Sequence, residues 1–426
     1  MKVKILRLKN GGGLRGECRL VKSIGATMHK FFQSGLLVGL VLGAATAAAR
    51  PEYAVRFAIN RCTVCHYSPA GGGPRTLQGK YFGAAGYSSD TWIRQQDYVG
   101  GEMKMLYYRP AKTSQSKDGL GIMNGDVWAS VPLADLSGEN AELRLVAEQN
   151  LGGFGSGPRQ WFVRWAFTKD TETSWLPQYV LVGRIIPAFG VMTDEHRTYV
   201  RMQSGTPWNT GFDTGVLLSA NPYDSLHYDL ALVNGQKNSG QSLATDMADA
   251  WGGVANLRWM PSQLPFALGA STSWYSASQQ SDAATAVSVY TLISVHRLSG
   301  NRIPVTISGE FVQAKNWNDS FTGGFVSDPA YASTVSHATS QGIYALVEYE
   351  LSRRVIFQYK FDQLLLNQDF PADNYQRHGV GVKHYFGNNV WALVRFEKAI
   401  AHHPGESDGL KTGALDAVLG VLNIAL

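Results

Sequence analysis

From about residue 101 to its last residue the chain alternates apolar and polar side chains with period two, and this restricts the architecture more than any motif does. "AELRLVAEQ" sets Ala141, Leu143, Leu145 and Ala147 on one face and Glu142, Arg144 and Glu148 on the other. "RQWFVRWAF" opposes Trp161, Val163, Trp165 and Phe167 to Gln160, Arg164 and Ala166. "SLHYDLALV" opposes Leu226, Tyr228, Leu230 and Leu232 to His227, Asp229 and Ala231. In "RRVIFQYKFD", Val355, Phe357, Tyr359 and Phe361 face away from Arg354, Gln358, Lys360 and Asp362. Successive side chains of a strand point to opposite faces, so an apolar face about ten residues long backed by a charged one suits a strand with lipid outside and water inside.

Sixteen such segments are predicted: 102–109, 122–131, 140–150, 159–169, 178–187, 212–220, 225–234, 250–260, 264–276, 285–297, 302–315, 341–351, 353–363, 376–386, 389–399 and 414–426. The first two alternate less cleanly than the rest. "NPYD", "PSQ", "LSGN", "LS" and "GNN" fall at alternate connections, and the intervening connections, such as 188–211, 235–249 and 316–340, are long. Short turns on one rim and long loops on the other are the plan of an outer-membrane barrel with its N-terminus on the periplasmic side. A soluble sandwich has no need of that asymmetry. The fold class expected is therefore an all-β transmembrane barrel of about 16 strands over residues 101–426, in the outer membrane of a Gram-negative cell.

The N-terminus indicates export. From Met28 the chain has a short basic start, an apolar run from Gly35 to Gly43, and Ala47-Ala48-Ala49 as a small-residue cleavage site, so residues 1–49 are expected to be a leader, with translation starting at Met28. The chain has 38 Lys and Arg against 33 Asp and Glu; eight of these bases and one acid precede Arg50, which leaves 30 against 32, or about −2. The overall basicity belongs to the leader, so nucleic acid is not expected as a partner. No apolar run after the leader is long enough to cross a bilayer as a helix.

Between leader and barrel lies "RCTVCHYSPAGGG", holding Cys62, Cys65 and His66, the only cysteines left once Cys18 leaves with the leader. Two thiols at this spacing followed at once by a histidine are what one covalent c-type haem needs: two thioethers, and a proximal ligand for its iron. A zinc site, a redox dithiol and a structural disulfide are the alternatives. Zinc wants four ligands, and residues 51–100 contain no further Cys or His; a thioredoxin-like dithiol wants a βαβ setting. The structural disulfide stays open.

The flanking residues carry a resemblance. "FAINRCTVCHYSPAGGGPRTLQGKYFGAAGY" resembles the haem segment of the fused cytochrome–porin family of outer-membrane iron oxidases, in Phe57-Ala58 before the motif and in Pro74, Leu77, Gly79, Phe82, Gly86 and Tyr87 after it. The resemblance covers residues 57–87, and over the barrel it is one of architecture. Gly71-Gly72-Gly73 departs from the pattern and looks more like related haem porins of either electron direction. The resemblance implies a monohaem plug over residues 50–100 and Fe(II):cytochrome c oxidoreductase chemistry, with extracellular Fe(II) as donor and a periplasmic c-type cytochrome or other carrier as acceptor. Outward electron transfer and a substrate-specific diffusion porin are the rivals. A segment this short cannot build a core of its own, so it is expected to pack inside the barrel or on its periplasmic side. It contains no Met and no second His, so a sixth iron ligand must come from elsewhere; the candidates are Met103, Met105, His227, His296 and His196. His196 lies in "GVMTDEHRTYVRM" with Asp194 and Glu195, residue types that can hold Fe(II), in a loop that in porins often folds into the pore.

Overall fold

The computed structural model describes residues 54–55, 62, 65–68, 74–76, 79, 98–109, 119–135, 142–153, 157–168, 173–191, 198, 200, 212–234, 251–276, 283–316, 338–352, 354–369, 374–386, 390–402 and 414–425. Sixteen strands follow one another: β1 (Val99–Arg109), β2 (Gly119–Asp135), β3 (Glu142–Gly153), β4 (Gly157–Ala166), β5 (Tyr179–Ile185), β6 (Asp213–Tyr223), β7 (Leu226–Val233) and β8 (Gly252–Trp259). Then come β9 (Phe266–Tyr275), β10 (Ala284–Ser294), β11 (Val305–Lys315), β12 (Thr339–Ser352), β13 (Val355–Leu365), β14 (Asn374–Tyr385), β15 (Val390–His402) and β16 (Ala414–Ala425). Each pairs antiparallel with its sequence neighbours, and β1 closes on β16 with Glu102 opposite Ala425 and Arg109 opposite Val418. Closure leaves no unpaired edge, the condition for crossing lipid with strands.

Every segment expected from the alternation is a strand, with ends shifted by a few residues. The segment 285–297 stops early because Ser294 caps one helical turn, α1 (Val295–Leu298), its Oγ accepting from the Arg297 amide at 3.3 Å. The segment 212–220 runs on to Tyr223 through a register shift between Ala220 and Tyr223. The uneven alternation of β1 and β2 also has a physical source. Their pairing slips between Lys104 and Met105, and β2 slips against β3 at Gly125/Asp126 and Pro132/Ala134, each slip inserting an unpaired residue.

The two faces differ as the alternation requires. Val182, Leu230, Leu232, Val287, Val289, Val380 and Val394 stand exposed on the outer face. Trp175 and Tyr223, with ring centroids 5.6 Å apart, together with Trp259 and Phe386, gather at the short-turn rim, while Trp251 and Trp274 stand toward the long-loop rim. Aromatic girdles flanking an apolar band mark the two edges of a bilayer. The inner face is buried and largely charged. Lys104 meets Glu102 at 3.2 Å, Arg159 meets Asp126 at 2.9 Å, Arg395 meets Glu397 at 2.8 Å, and Lys360 and Arg377 both meet Asp362 at 2.9 Å. Among the described residues no helix is long and apolar enough to cross a membrane.

Candidate functional site

The motif forms one helical turn. The Cys62 carbonyl accepts from the Cys65 amide at 3.1 Å and from the His66 amide at 3.0 Å. The turn sets the Cys62 and Cys65 backbones one turn apart, with His66 next to Cys65 where the chain leaves the turn. Two thiols one turn apart and a histidine directly after the second are the residue types that two thioether bonds and one axial ligand require. The chain then folds back on itself: His66 bridges Arg75, the Tyr67 amide donates to the Pro74 carbonyl at 3.2 Å, and the Thr76 amide donates to the Cys65 carbonyl at 3.1 Å. Gly79 completes the return. A Cβ there would stand 1.9 Å from the Cys65 carbonyl oxygen, so only glycine permits this approach of backbone to backbone.

Cys65 and His66 are buried and Cys62 is partly exposed. Burial pushes the Cys65 thiol up to about 12; Cys62 adds to the shift and Arg75 opposes it.

The segment is held by the inner wall at points well apart around the barrel. Arg258 of β8 donates from Nη1 to Cys62 Sγ at 2.8 Å, and Arg144 of β3 donates from Nη1 to Tyr67 Oη at 3.0 Å. Val55 packs with Tyr290 and Leu292 of β10, and its carbonyl accepts from Arg297 Nη1 at 3.0 Å. Arg75 is fully buried; burial lowers its pKa while Glu102 of β1 and Cys65 hold it up. Since β3 and β8 stand five strands apart in a ring of sixteen, these contacts tie the segment to distant parts of the wall.

The candidate sixth ligands separate sharply. Met103 and Met105 are corrected: in β1 the buried, inward residues are Glu102 and Lys104, and the two methionines alternate onto the outer face opposite Ile424 and Leu422. Neither can reach a lumenal group. The alternation of "GEMKM" carries this information, since Met103 and Met105 have the opposite parity to Glu102 and Lys104. His227 does point inward from β7 and is 3 % exposed, but both its ring nitrogens are engaged, Nδ1 with Asn221 Oδ1 at 2.7 Å and Nε2 with Asp229 Oδ1 at 2.9 Å. It serves a wall network. His296 sits in α1 beside Arg297, at the turn that grips Val55. His196, Asp194 and Glu195 lie outside the described residues. The alternation did not single out Arg258 or Tyr290, which touch or brace the Cys62 side of the turn.

This is the fold of an outer-membrane porin: a closed antiparallel barrel of sixteen strands with an apolar exterior and a charged interior. The chain is similar to OmpF of Salmonella typhi, determined in complex with daunomycin, at TM-score 0.56 and 11% identity over 77% of this chain and 97% of that one. It is also similar to an anion-selective porin of Comamonas acidovorans (TM-score 0.51, 10% identity, 77% and 98% covered). A third likeness is to OmpT of Vibrio cholerae with loop L8 deleted (TM-score 0.51, 9% identity, 77% and 98% covered). No protein-family model and no curated protein matches the chain.

Proposed function

We propose that the chain is an outer-membrane electron conduit whose lumen holds one covalent c-type haem on Cys62 and Cys65, with His66 as the proximal iron ligand. Bound there, a c-type haem supplies a one-electron couple. The one-turn backbone over Cys62–His66, with the Cys62 carbonyl accepting from the Cys65 and His66 amides, is the observation that carries this reading. Around it, the wall holds the segment through Arg258 and Arg144, and the fold-back through Thr76 and Gly79 keeps the turn closed.

The favoured reaction takes one electron from extracellular Fe(II), leaving Fe(III), and passes it to a periplasmic c-type cytochrome or other carrier. Fe(II) as donor is supported by the resemblance of residues 57–87, and insoluble Fe(III) is better formed outside the cell. Asp194, Glu195 and His196 are residue types that suit an Fe(II) landing site. Outward transfer uses the same parts, and a strongly negative potential would select it.

The likeness to porins, taken alone, favours a second reading, a diffusion porin. Contacts from β3, β8 and β10 to the N-terminal segment weigh against an open lumen. The test uses the full chain produced with haem-attachment machinery. A pyridine-haemochrome spectrum with one haem per chain that survives denaturation, lost in Cys62→Ser/Cys65→Ser, together with reduction by external Fe(II), is the expected result. No covalent haem, or large steady conductance of the loaded barrel in a planar bilayer, overturns the proposal in favour of the porin.

A further inference from the structure

We infer that Arg258 positions the group carried on Cys62 and raises its affinity for an electron, an inference that builds on the haem reading above. Arg258 is 7 % exposed, and its Nη1 reaches Cys62 Sγ at 2.8 Å. Conversion of a thiol to a thioether leaves sulfur lone pairs, so the guanidinium keeps its acceptor when the group is attached.

The wall behind Arg258 is built to hold it. Its Nε donates to Tyr290 Oη at 3.3 Å, and Tyr290 Oη in turn donates to Asn256 Oδ1 at 2.9 Å. Asn256 also accepts from Ser271 Oγ at 2.9 Å and donates through Nδ2 to Asp229 Oδ2 at 3.0 Å. Asp229 accepts from Ser219 Oγ at 2.7 Å and lies 2.9 Å from His227 Nε2. Six strand residues on five neighbouring strands thus fix one guanidinium.

Gly269 on β9 makes room for this brace. A Cβ there would stand 2.0 Å from Tyr290 Cζ, so the ring can lie across β9 only because the position is glycine. Val55 shares a buried apolar cluster with Tyr290 and Leu292, which places the segment against the same part of the wall. Arginine stays charged at any accessible pH, and a fixed positive charge in a site shielded from water stabilises an added electron nearby. Charge and hydrogen bonding around a haem are among the levers that set its potential.

The test is an equilibrium redox titration of the full-length, haem-loaded barrel in detergent, alongside Arg258→Gln, Arg258→Lys and Tyr290→Phe. Arg258→Gln is expected to shift electron exchange with a one-electron mediator toward the oxidised form by roughly tenfold, about 59 mV lower in potential. Arg258→Lys restores most of that shift, and Tyr290→Phe, which keeps the charge but loses the brace, shifts in the same direction by a smaller factor. Covalent haem present in Arg258→Gln with an unmoved potential overturns this inference alone. Should Arg258→Gln fail to assemble, Tyr290→Phe decides, and an unmoved potential there overturns it. Absence of covalent haem from the unsubstituted protein overturns the haem reading and this inference with it.

Discussion

Arg144 Nη1 donates to Tyr67 Oη at 3.0 Å while its guanidinium carbon lies 5.1 Å from the centre of the Tyr67 ring, which ties β3 to the residue next to His66. The arginine is itself fixed, donating to Ser130 Oγ at 2.8 Å and to Glu142 Oε1 through Nε at 2.8 Å. A hydrogen bond from a charged donor contributes about 1.5–3 kcal/mol, more than an exposed ion pair does. Arg144→Ala is expected to speed limited proteolysis after the leader while the barrel stays resistant, since the loss falls on local opening. Tyr67→Phe, which keeps the ring, should show a smaller effect. Equal cleavage rates in all three proteins would show that this contact does not hold the segment.

Gly79→Ala places a methyl group 1.9 Å from the Cys65 carbonyl oxygen, and backbone on both sides must move to accommodate it. Overpacking of this kind costs about 1–3 kcal/mol. The turn at Cys62 to His66 is expected to open, lowering covalent haem per chain severalfold at unchanged barrel yield, read from haemochrome absorbance against total protein.

In protein prepared without haem attachment, the raised thiol pKa predicts slow alkylation of Cys65. Its pKa moves from 9.0 to about 12 because burial disfavours the thiolate, and the thiolate is the nucleophile. Between pH 9 and 11 labelling of Cys65 should stay far slower than that of the same cysteine in urea-unfolded chain, as mass spectrometry of the labelled peptide would report. The linkage has a defined sign: a raised thiol pKa contributes stability that is complete below about 9 and lost as pH rises through about 12.

Asp362 is fully buried and meets Lys360 and Arg377, each at 2.9 Å. Removing this acid takes a buried charge partner from each of the two bases, and breaking a buried pair costs about 3–5 kcal/mol. Asp362→Ala should lower the urea midpoint of the folded barrel in lipid vesicles accordingly. Asp362→Glu should recover part of it.

Val289 stands 57 % exposed at the middle of β10, opposite Phe311 and Ala270 on the neighbouring strands. With this face in hydrocarbon, Val289→Arg costs about 2–4 kcal/mol, seen as reduced folding into vesicles. A wild-type folding yield for Val289→Arg would place this face in water and remove the membrane assignment.

Period-two alternation determined sixteen strands, their inward and outward faces and the long and short connections, because side-chain direction in a strand is a local property of the backbone. The same rule contained the outward placement of Met103 and Met105, visible in Glu102 and Lys104 beside them. The turn over Cys62 to His66 is equally local, closed by backbone hydrogen bonds three and four residues apart. Tertiary structure alone decided what the turn meets. Arg258 lies 196 residues from Cys62 along the chain, and Arg144 lies 77 from Tyr67. Barrel closure and strand register bring such pairs together, and no local pattern encodes a distance across a lumen. The same holds for Gly269, whose missing side chain acquires its purpose only when β10 lays Tyr290 over it. His227 shows the limit from the other side: alternation turned it inward, and only the packed wall revealed that Asn221 and Asp229 occupy both its nitrogens.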